Sequence, residues 1–222
     1  MFLSQGEILK LVEEKGVILK SKPEYFHQCS YDLRLGKEVY IVGKDAPETL
    51  SRQSPYISIP PGQFAILTCY EDIQMPDDHM AFISLRTSFK FQGLVNISGF
   101  HVDPTHRGTL LFAVQNVGPS DIRLKFEEPT FAIFFAKLTS NRIGKSRSEQ
   151  DTRFKPWLSG IRLQDVQLLG GSSITIAKLQ KEIDQLKFIV FVYTPIVVAV
   201  LGALIKLFWP SPSTPIPTLP TH

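Results

Sequence analysis

The sequence has only two cysteines, and they lie far apart. Cys29 and Cys69 do not have the close spacing of zinc ligands, and two thiols in 222 residues are too few for a disulfide scaffold. We therefore expect a reducing compartment. The N-terminal stretch already carries Glu7 and Lys10 and lacks the long apolar core of a signal peptide.

An excess of one charge is also lacking. The net charge of +3 is too small to indicate a nucleic-acid partner. No G-x-G-x-x-G, H-x-E…C-x-x-C or Ser/His/Asp pattern is present, and His27, His79 and His101 are interpreted as structural or surface residues. Hydrophobic residues at 43% and charged residues at 20% are typical of a globular protein, so we expect one domain with an appendage.

One long apolar run is present near the C-terminal end. Residues 188–205 read FIVFVYTPIVVAVLGALI without a charge, and apolar residues continue beyond Lys206. About 20 apolar residues span a bilayer, so the run predicts a transmembrane helix over 188–209, in which Pro195 is tolerated. The alternative is the buried core helix of a soluble protein.

Lysines flank the predicted span unevenly. Lys178, Lys181 and Lys187 precede it, whereas only Lys206 closely follows it. Because positive residues are enriched on the cytoplasmic side, we predict a single-pass membrane protein with its N-terminal domain in the cytoplasm.

The first part of the chain reads as a mainly β domain over 1–140. The spacing of Ser4 and Glu7 is that of a capping box, which predicts a short N-terminal helix. From about Tyr31 to Leu138, short apolar or alternating runs are separated by Pro, Gly, Asp and Asn. This pattern is typical of a β-barrel or β-sandwich.

Three further segments follow the domain. Residues 141–172 are polar and basic and predict a linker or arm. Residues 173–187 predict an amphipathic stalk helix, either one strand of a short coiled coil or a surface helix, because apolar residues recur there at intervals of three and four. Residues 210–222 predict a short, extended, proline-rich tail.

Three motifs of the β domain occur in a characteristic order. They read SYDLRLG over 30–36, SLRTS over 84–88 ahead of a Gly-Leu pair, and HVDPTHRG over 101–108. Together they resemble the S-x-D-L-R-L-G, R-S-S and V-D-P motifs of the dCTP deaminase and trimeric dUTPase superfamily. The resemblance implies a distorted β-barrel of the dUTPase type and a homotrimer with sites between its subunits.

The resemblance also assigns candidate site residues. Arg86, Thr87 and Ser88 match the segment that binds the triphosphate, which would arrive with Mg²⁺ and which requires fixed cations and hydroxyl donors. Asp103 matches the aspartate that lies below the deoxyribose 3′-hydroxyl and, in dUTPases, orients the attacking water, so it is the candidate catalytic residue.

Two further residues complete the candidate substrate-binding set. His106 falls where dUTPases have a tyrosine that blocks a 2′-hydroxyl, and Arg107 follows it.

Several positions depart from the family pattern. Deamination needs a carboxylate to move protons at cytosine C4, and the family's glutamate falls on Ala113. A second family arginine falls on Phe91, where the adjacent Lys90 offers the charge without the fork geometry of a guanidinium. The glycine-rich C-terminal lid of the dUTPases is replaced by the basic arm.

These departures leave three functions open. We favour a membrane-anchored, dCTP deaminase-like protein that binds deoxynucleoside triphosphates, is catalytically degenerate and acts as a nucleotide sensor or effector. The second is an active dCTP deaminase in which Glu127, Glu128 or Asp121 has replaced the missing carboxylate. The third is a structural trimeric domain without a ligand.

Overall fold

The computed structural model describes residues 1–139, 160–161 and 176–208. The chain forms two compact units, Met1–Ala177 and Lys178–His222. The predicted arm over 141–172 lies outside the described residues apart from 160 and 161, and so does the whole predicted tail over 210–222.

The described residues form three helices and eleven strands. The helices are α1 (Gln5–Lys15), α2 (Thr87–Phe91) and α3 (Ile176–Phe208). The strands are β1 (Ile18–Leu19), β2 (Tyr31–Ile41), β3 (Glu48–Thr49), β4 (Tyr56–Ile59), β5 (Phe64–Gln74), β6 (His79–Leu85), β7 (Leu94–Ser98), β8 (His101–Val102), β9 (Arg107–Asn116), β10 (Ile122–Lys125) and β11 (Pro129–Lys137). A short 3-10 turn at Pro23–Tyr25 precedes β2.

The short N-terminal helix is confirmed, and the predicted cap lies at its start. The Glu7 carboxylate accepts hydrogen bonds from the Ser4 backbone N–H and from the Ser4 hydroxyl, both at 2.8 Å. These bonds satisfy a backbone donor that the first turn leaves without a helical partner. The helix ends at Gly16, whose φ of +62° is a left-handed conformation that glycine adopts without strain.

The mainly β prediction is also confirmed. The large sheet has the strand order β7-β9-β5-β2-β11-β6-β8 and curls into a half-barrel, while β4 and β10 form a separate antiparallel pair. Buried and exposed side chains alternate along β6, β9 and β10, as expected when one sheet face covers the core. Aromatic rings fill that core, and Phe112 stacks on Phe131 with their ring centroids 3.9 Å apart.

A second apolar cluster lies on the other face of β2, β5 and β9. Its members are Tyr40, Val42 and Ile66, with Phe64, Leu111 and Ile161 packed against them. The backbone N–H of Ile161 donates to Glu38 Oε2 at 2.9 Å. At this one point, part of the segment predicted to be an arm therefore packs on the domain.

The buried ion pair of Arg34 and Glu71 joins β2 to β5. Arg34 Nε donates to Glu71 Oε1 at 2.6 Å, and the Arg34 backbone N–H donates to Glu71 Oε2 at 2.9 Å. The hydroxyl of Tyr31 donates to Oε1 at 3.1 Å. Burial and the neighbouring carboxylate raise the pKa of Tyr31, which keeps its phenol protonated as a donor.

Apart from its first two residues, α3 lies in the second unit. The helix is continuous where two consecutive helices were predicted over 173–187 and 188–209. Its segment Glu182–Ile205 is long and apolar enough to cross a membrane, and none of it is buried within the chain. Pro195 lies inside the helix, and the Thr194 hydroxyl donates to the carbonyl of Val190 at 2.6 Å. By length and composition, this helix could span a membrane as predicted.

We predict that Arg34→Met lowers the free energy of unfolding of the domain by about 3–5 kcal/mol, because Glu71 would keep a buried charge without its cation. Arg52→Met is the control, since the Arg52 side chain is 81% exposed and its ion pair should contribute less than about 1 kcal/mol. Urea denaturation of the full chain, followed by circular dichroism, measures both variants. Equal losses of unfolding free energy in the two variants would show that the buried ion pair does not stabilise the sheet more than an exposed ion pair does.

Candidate functional site

A polar cluster lies where β2, β11 and β6 run side by side. Asp32 pairs with Ala132, and Ala132 pairs with Ser84, so these residues form one row across the three strands. Directly paired residues in an antiparallel sheet point to the same face. Asp32 and Ser84 therefore lie on the same face of the sheet, close to the residues that follow β6.

Arg86 belongs to this cluster. Its Nη1 lies 3.3 Å from Asp32 Oδ2, and its backbone N–H donates to the Thr130 carbonyl at 3.0 Å. His27 Nε2 lies 3.0 Å from the same Asp32 oxygen. The Asp32 side chain is only 7% exposed, whereas that of Arg86 is 41% exposed and can reach a ligand.

Lysine and hydroxyl groups extend the cluster. Lys90 Nζ donates to Ser84 Oγ at 2.8 Å, and Thr87 and Ser88 are exposed in the first turn of α2. Among the described residues of this cluster, Arg86 and Lys90 carry positive charge and Asp32 carries negative charge. The surface therefore has a net positive charge and several hydrogen-bond donors. These features suit an anion.

The third motif forms a tight turn after β8. The His106 N–H donates to the Asp103 carbonyl at 3.3 Å and closes the turn, and the Met75 N–H donates to the His106 carbonyl at 2.8 Å. Thr105, in this turn, has a φ of +65°. A left-handed conformation costs a β-branched residue about 1–2 kcal/mol, so this turn is strained.

The candidate residues of this turn differ in exposure. The Asp103 side chain is 54% exposed, with His101 Nε2 at 3.5 Å from its Oδ1, and Arg107 is exposed at the start of β9. His106 is largely enclosed, and burial lowers the pKa of its imidazole. His106 is therefore neutral at pH 7, and its Nε2 has no hydrogen-bond partner among the described residues.

The two groups of candidates do not converge within one chain. Val102 pairs with Ala81 near the start of β6, so Asp103 lies beside Met80, whereas Arg86 follows the end of β6. Six residues of strand separate these two points, which corresponds to roughly 20 Å. The Arg86 guanidinium also reaches across β11 to Asp32, away from β8.

Ala113 lies between two uncharged strand neighbours. It lies in β9 between Ile66 of β5 and Ser98 of β7, which are its cross-strand partners. Ile66 belongs to the second apolar cluster, which also includes Leu111. Neither partner carries a carboxylate, and Phe91, at the position of the second family arginine, is 89% exposed.

The three alternative carboxylates are engaged or placed elsewhere. Glu127 lies 3.3 Å from Arg52 and 3.6 Å from Arg34, and Glu128 Oε2 accepts a hydrogen bond from the Lys125 backbone N–H at 3.1 Å. Asp121 is exposed just before β10, which pairs with β4 and not with β9. None of the three is a strand neighbour of Ala113.

A cleft of about 200 Å³ opens near the bulges of β2 and β5, away from the predicted site residues. Its walls include Lys20, Lys37, Thr109 and Asp72. Burial alone would raise the pKa of Asp72, but hydrogen bonds from Lys20 and Thr109 outweigh it and lower that pKa. Within the cleft, Lys20 and Asp72 already pair with each other at 2.8 Å.

The motifs named Arg86 and Asp103 as candidates, whereas three members of the polar cluster were not named. His27 was interpreted as structural or surface, and Asp32 and Ser84 were not assigned a binding role. Asp32 and Ser84 lie within the SYDLRLG and SLRTS motifs, which were their signal in the sequence. His27 had no such signal, because its contact with Asp32 depends on a local turn.

Comparisons with known proteins agree with this fold. The profile of the dCTP deaminase-like family matches residues 2–138. A dCTP deaminase of Thermococcus kodakarensis is 34% identical over 115 residues, which cover 52% of this chain and 72% of that protein. A dUMP-forming dCTP deaminase of Methanosphaera stadtmanae is 25% identical over 202 residues, covering 82% of this chain and 95% of that protein.

A solved structure has the same fold. The 2′-deoxycytidine 5′-triphosphate deaminase of Agrobacterium tumefaciens superimposes with a TM-score of 0.52 at 17% identity. The match covers 60% of this chain and 48% of that one, so this chain spans about half of the deaminase's length. From the matched profile over residues 2–138 and the shared fold, the chain belongs to the dCTP deaminase-like family.

Proposed function

We propose that this chain is a membrane-anchored member of its family that binds deoxynucleoside triphosphates without deaminating them and acts as a nucleotide sensor or effector. One observation supports the loss of deaminase activity. At the position of the family's proton-transferring glutamate stands Ala113, beside Ile66 and Ser98. A methyl group cannot accept a proton from water or deliver one to a leaving amine.

The polar cluster supports triphosphate binding. Arg86 and Lys90 supply positive charge, and the exposed hydroxyls of Thr87 and Ser88 supply donors beside them. Mg²⁺ would enter on the phosphate oxygens of the nucleotide. Among the described residues, no group of three or more acidic, histidine or cysteine side chains offers a site for a metal ion.

The turn after β8 supports sugar recognition. Asp103 can accept a hydrogen bond from a 3′-hydroxyl, and a sugar without that hydroxyl would leave the carboxylate unpaired. The neutral imidazole of His106 and the guanidinium of Arg107 lie within the next few residues. We assign both to the nucleotide-binding surface.

The separation of Arg86 from Asp103 favours sites built between chains. The two residues lie at opposite ends of β6, roughly 20 Å apart along the strand. A homotrimer, which the family resemblance implies, would place the turn of one chain against the polar cluster of the next. We therefore propose a trimer whose nucleotide sites are shared by neighbouring chains.

The apolar part of α3 would anchor this trimer. The segment Glu182–Ile205 has the length and composition of a span. Lys178, Lys181 and Lys187 near its N-terminal end favour a cytoplasmic position for the β domain. The anchored domain would then meet the cytoplasmic nucleotide pool.

An active dCTP deaminase is the second candidate, because the named relatives of this chain are dCTP deaminases. The contacts of Glu127 and Glu128 do not favour either as a replacement for the missing carboxylate. The third candidate, a structural domain without a ligand, is an outcome of the binding experiment below.

We predict that the full chain in detergent binds dCTP or dUTP with Mg²⁺ more tightly than the matching ribonucleotide, and that Arg86→Ala weakens binding far more than Lys90→Ala. Hydrogen bonds between a guanidinium and phosphate contribute about 1.5–3 kcal/mol, and an exposed lysine contributes less. Isothermal titration calorimetry measures each constant.

Arg52→Ala is the control for that experiment, because Arg52 lies outside the polar cluster and is paired with Glu127. Equal losses in the Arg86 and Lys90 variants would mean that the second motif has been aligned wrongly. No heat above the buffer control with any nucleotide would favour the structural domain.

We predict that the wild-type chain releases little or no ammonia from dCTP and that Ala113→Glu gains measurable release. General acid–base catalysis is worth about 10²- to 10⁴-fold, and a glutamate at this position restores the missing group. Ala113→Gln is the matched control, since it has similar volume without a carboxylate. Rapid ammonia release by the wild type would refute catalytic degeneracy.

A further inference from the structure

His27 lies outside the family motifs but contacts the polar cluster. It begins a tight turn in which the His27 N–H donates to the Ser30 carbonyl at 2.8 Å, and Phe26 and Tyr31 form the bridge that flanks the turn. The turn places the imidazole against Asp32, with Nε2 at 3.0 Å from Oδ2. Two residues that are five positions apart therefore become a bonded pair.

The Asp32 carboxylate needs partners because it is nearly enclosed. Its side chain is 7% exposed, and its Oδ2 lies within reach of both His27 and Arg86. An ionised carboxylate removed from water is costly unless cations or donors satisfy it. If Arg86 turned toward a ligand phosphate, His27 would remain as the donor to Asp32.

We infer that His27 is a positioning residue of the polar cluster: by donating a hydrogen bond to Asp32, it allows Arg86 to share its own donors with a bound triphosphate. The inference deepens the proposed function and rests on it, since it assumes that Arg86 binds phosphate. Arginine suits this division, because its guanidinium carries five donors in a fixed fork. Asp32 can hold one edge of the fork while the remaining donors face the ligand.

Among the described residues, Asp32 is the charged group in direct contact with the His27 imidazole. On the neighbouring elements, Glu7 of α1 is bound to Ser4, and Lys22 and Glu24 around the 3-10 turn pair with each other at 3.8 Å. On the far side of Asp32 lie Arg86 and Lys90.

Removal of the imidazole should therefore weaken anion binding. Without the His27 donor, Asp32 would engage more of the Arg86 donors, and fewer of them would face the phosphate. Because the His27 side chain is 51% exposed, we expect a loss of affinity of only about threefold.

The test measures binding of inorganic tripolyphosphate to the full chain in detergent. Wild type, His27→Gln and His27→Ala are compared, with Gln28→Ala on the same turn as the control. His27→Gln keeps a side-chain donor for Asp32, whereas His27→Ala removes it.

We expect His27→Ala to bind about threefold more weakly than the wild type, and His27→Gln, whose amide can still donate to Asp32, to recover most of that loss. Equal losses in the two variants, or wild-type affinity in His27→Ala, would overturn the inference. If the wild type does not bind tripolyphosphate at all, the anion-binding role of the polar cluster is itself refuted.

Discussion

The fold depends on the buried ion pair between Arg34 and Glu71. Both side chains are almost inaccessible, at 1% and 0% exposure, and their hydrogen bonds join β2 to β5 in the middle of the sheet. A buried pair of this kind is not stabilising merely because it exists, since both charges have left water. Here the carboxylate is satisfied by two donors of Arg34 and by Tyr31, so the desolvation cost is offset.

Arg34 also organises the chain around it. Its Nη2 donates to the Lys20 carbonyl at 2.7 Å, and its guanidinium carbon lies 4.4 Å from the ring centroid of Tyr70. Both Lys20 and Glu127, which lies near Nη1, have left-handed backbones at φ of 62° and 61°. One guanidinium thus contacts two residues with strained backbones. Asp32 of the polar cluster lies two residues earlier on the same strand.

The sequence predicted the architecture well because the relevant signals are local. Alternating runs and turn residues identified a mainly β domain, and the Ser4–Glu7 spacing identified a short helix. The contact of Ile161 with the second apolar cluster could not be foreseen, because no periodicity links that residue to Tyr40 or Leu111. Nor did the sequence reveal that α3 runs without interruption from Ile176.

The candidate site was predicted only in part, for a related reason. Motifs name residues one at a time. They therefore proposed Arg86 and Asp103 as candidates but did not show how far apart the two residues lie along β6. The contact between His27 and Asp32 depends on the geometry of the turn between them, and a single histidine in the sequence does not predict that geometry. The motif alignment placed Ala113 at the position of the family's glutamate, whereas its strand neighbours Ile66 and Ser98 became known only from the pairing of β9 with β5 and β7.

We propose that each nucleotide site combines Arg86 of one chain with Asp103 of another. Full-length chains carrying either Arg86→Ala or Asp103→Ala can be given different affinity tags, expressed together and purified through both tags, and their dCTP binding can then be titrated. We predict that neither variant alone binds with wild-type affinity and that each mixed assembly regains one site with wild-type affinity. Mixed assemblies that bind as weakly as the separate variants would contradict the account.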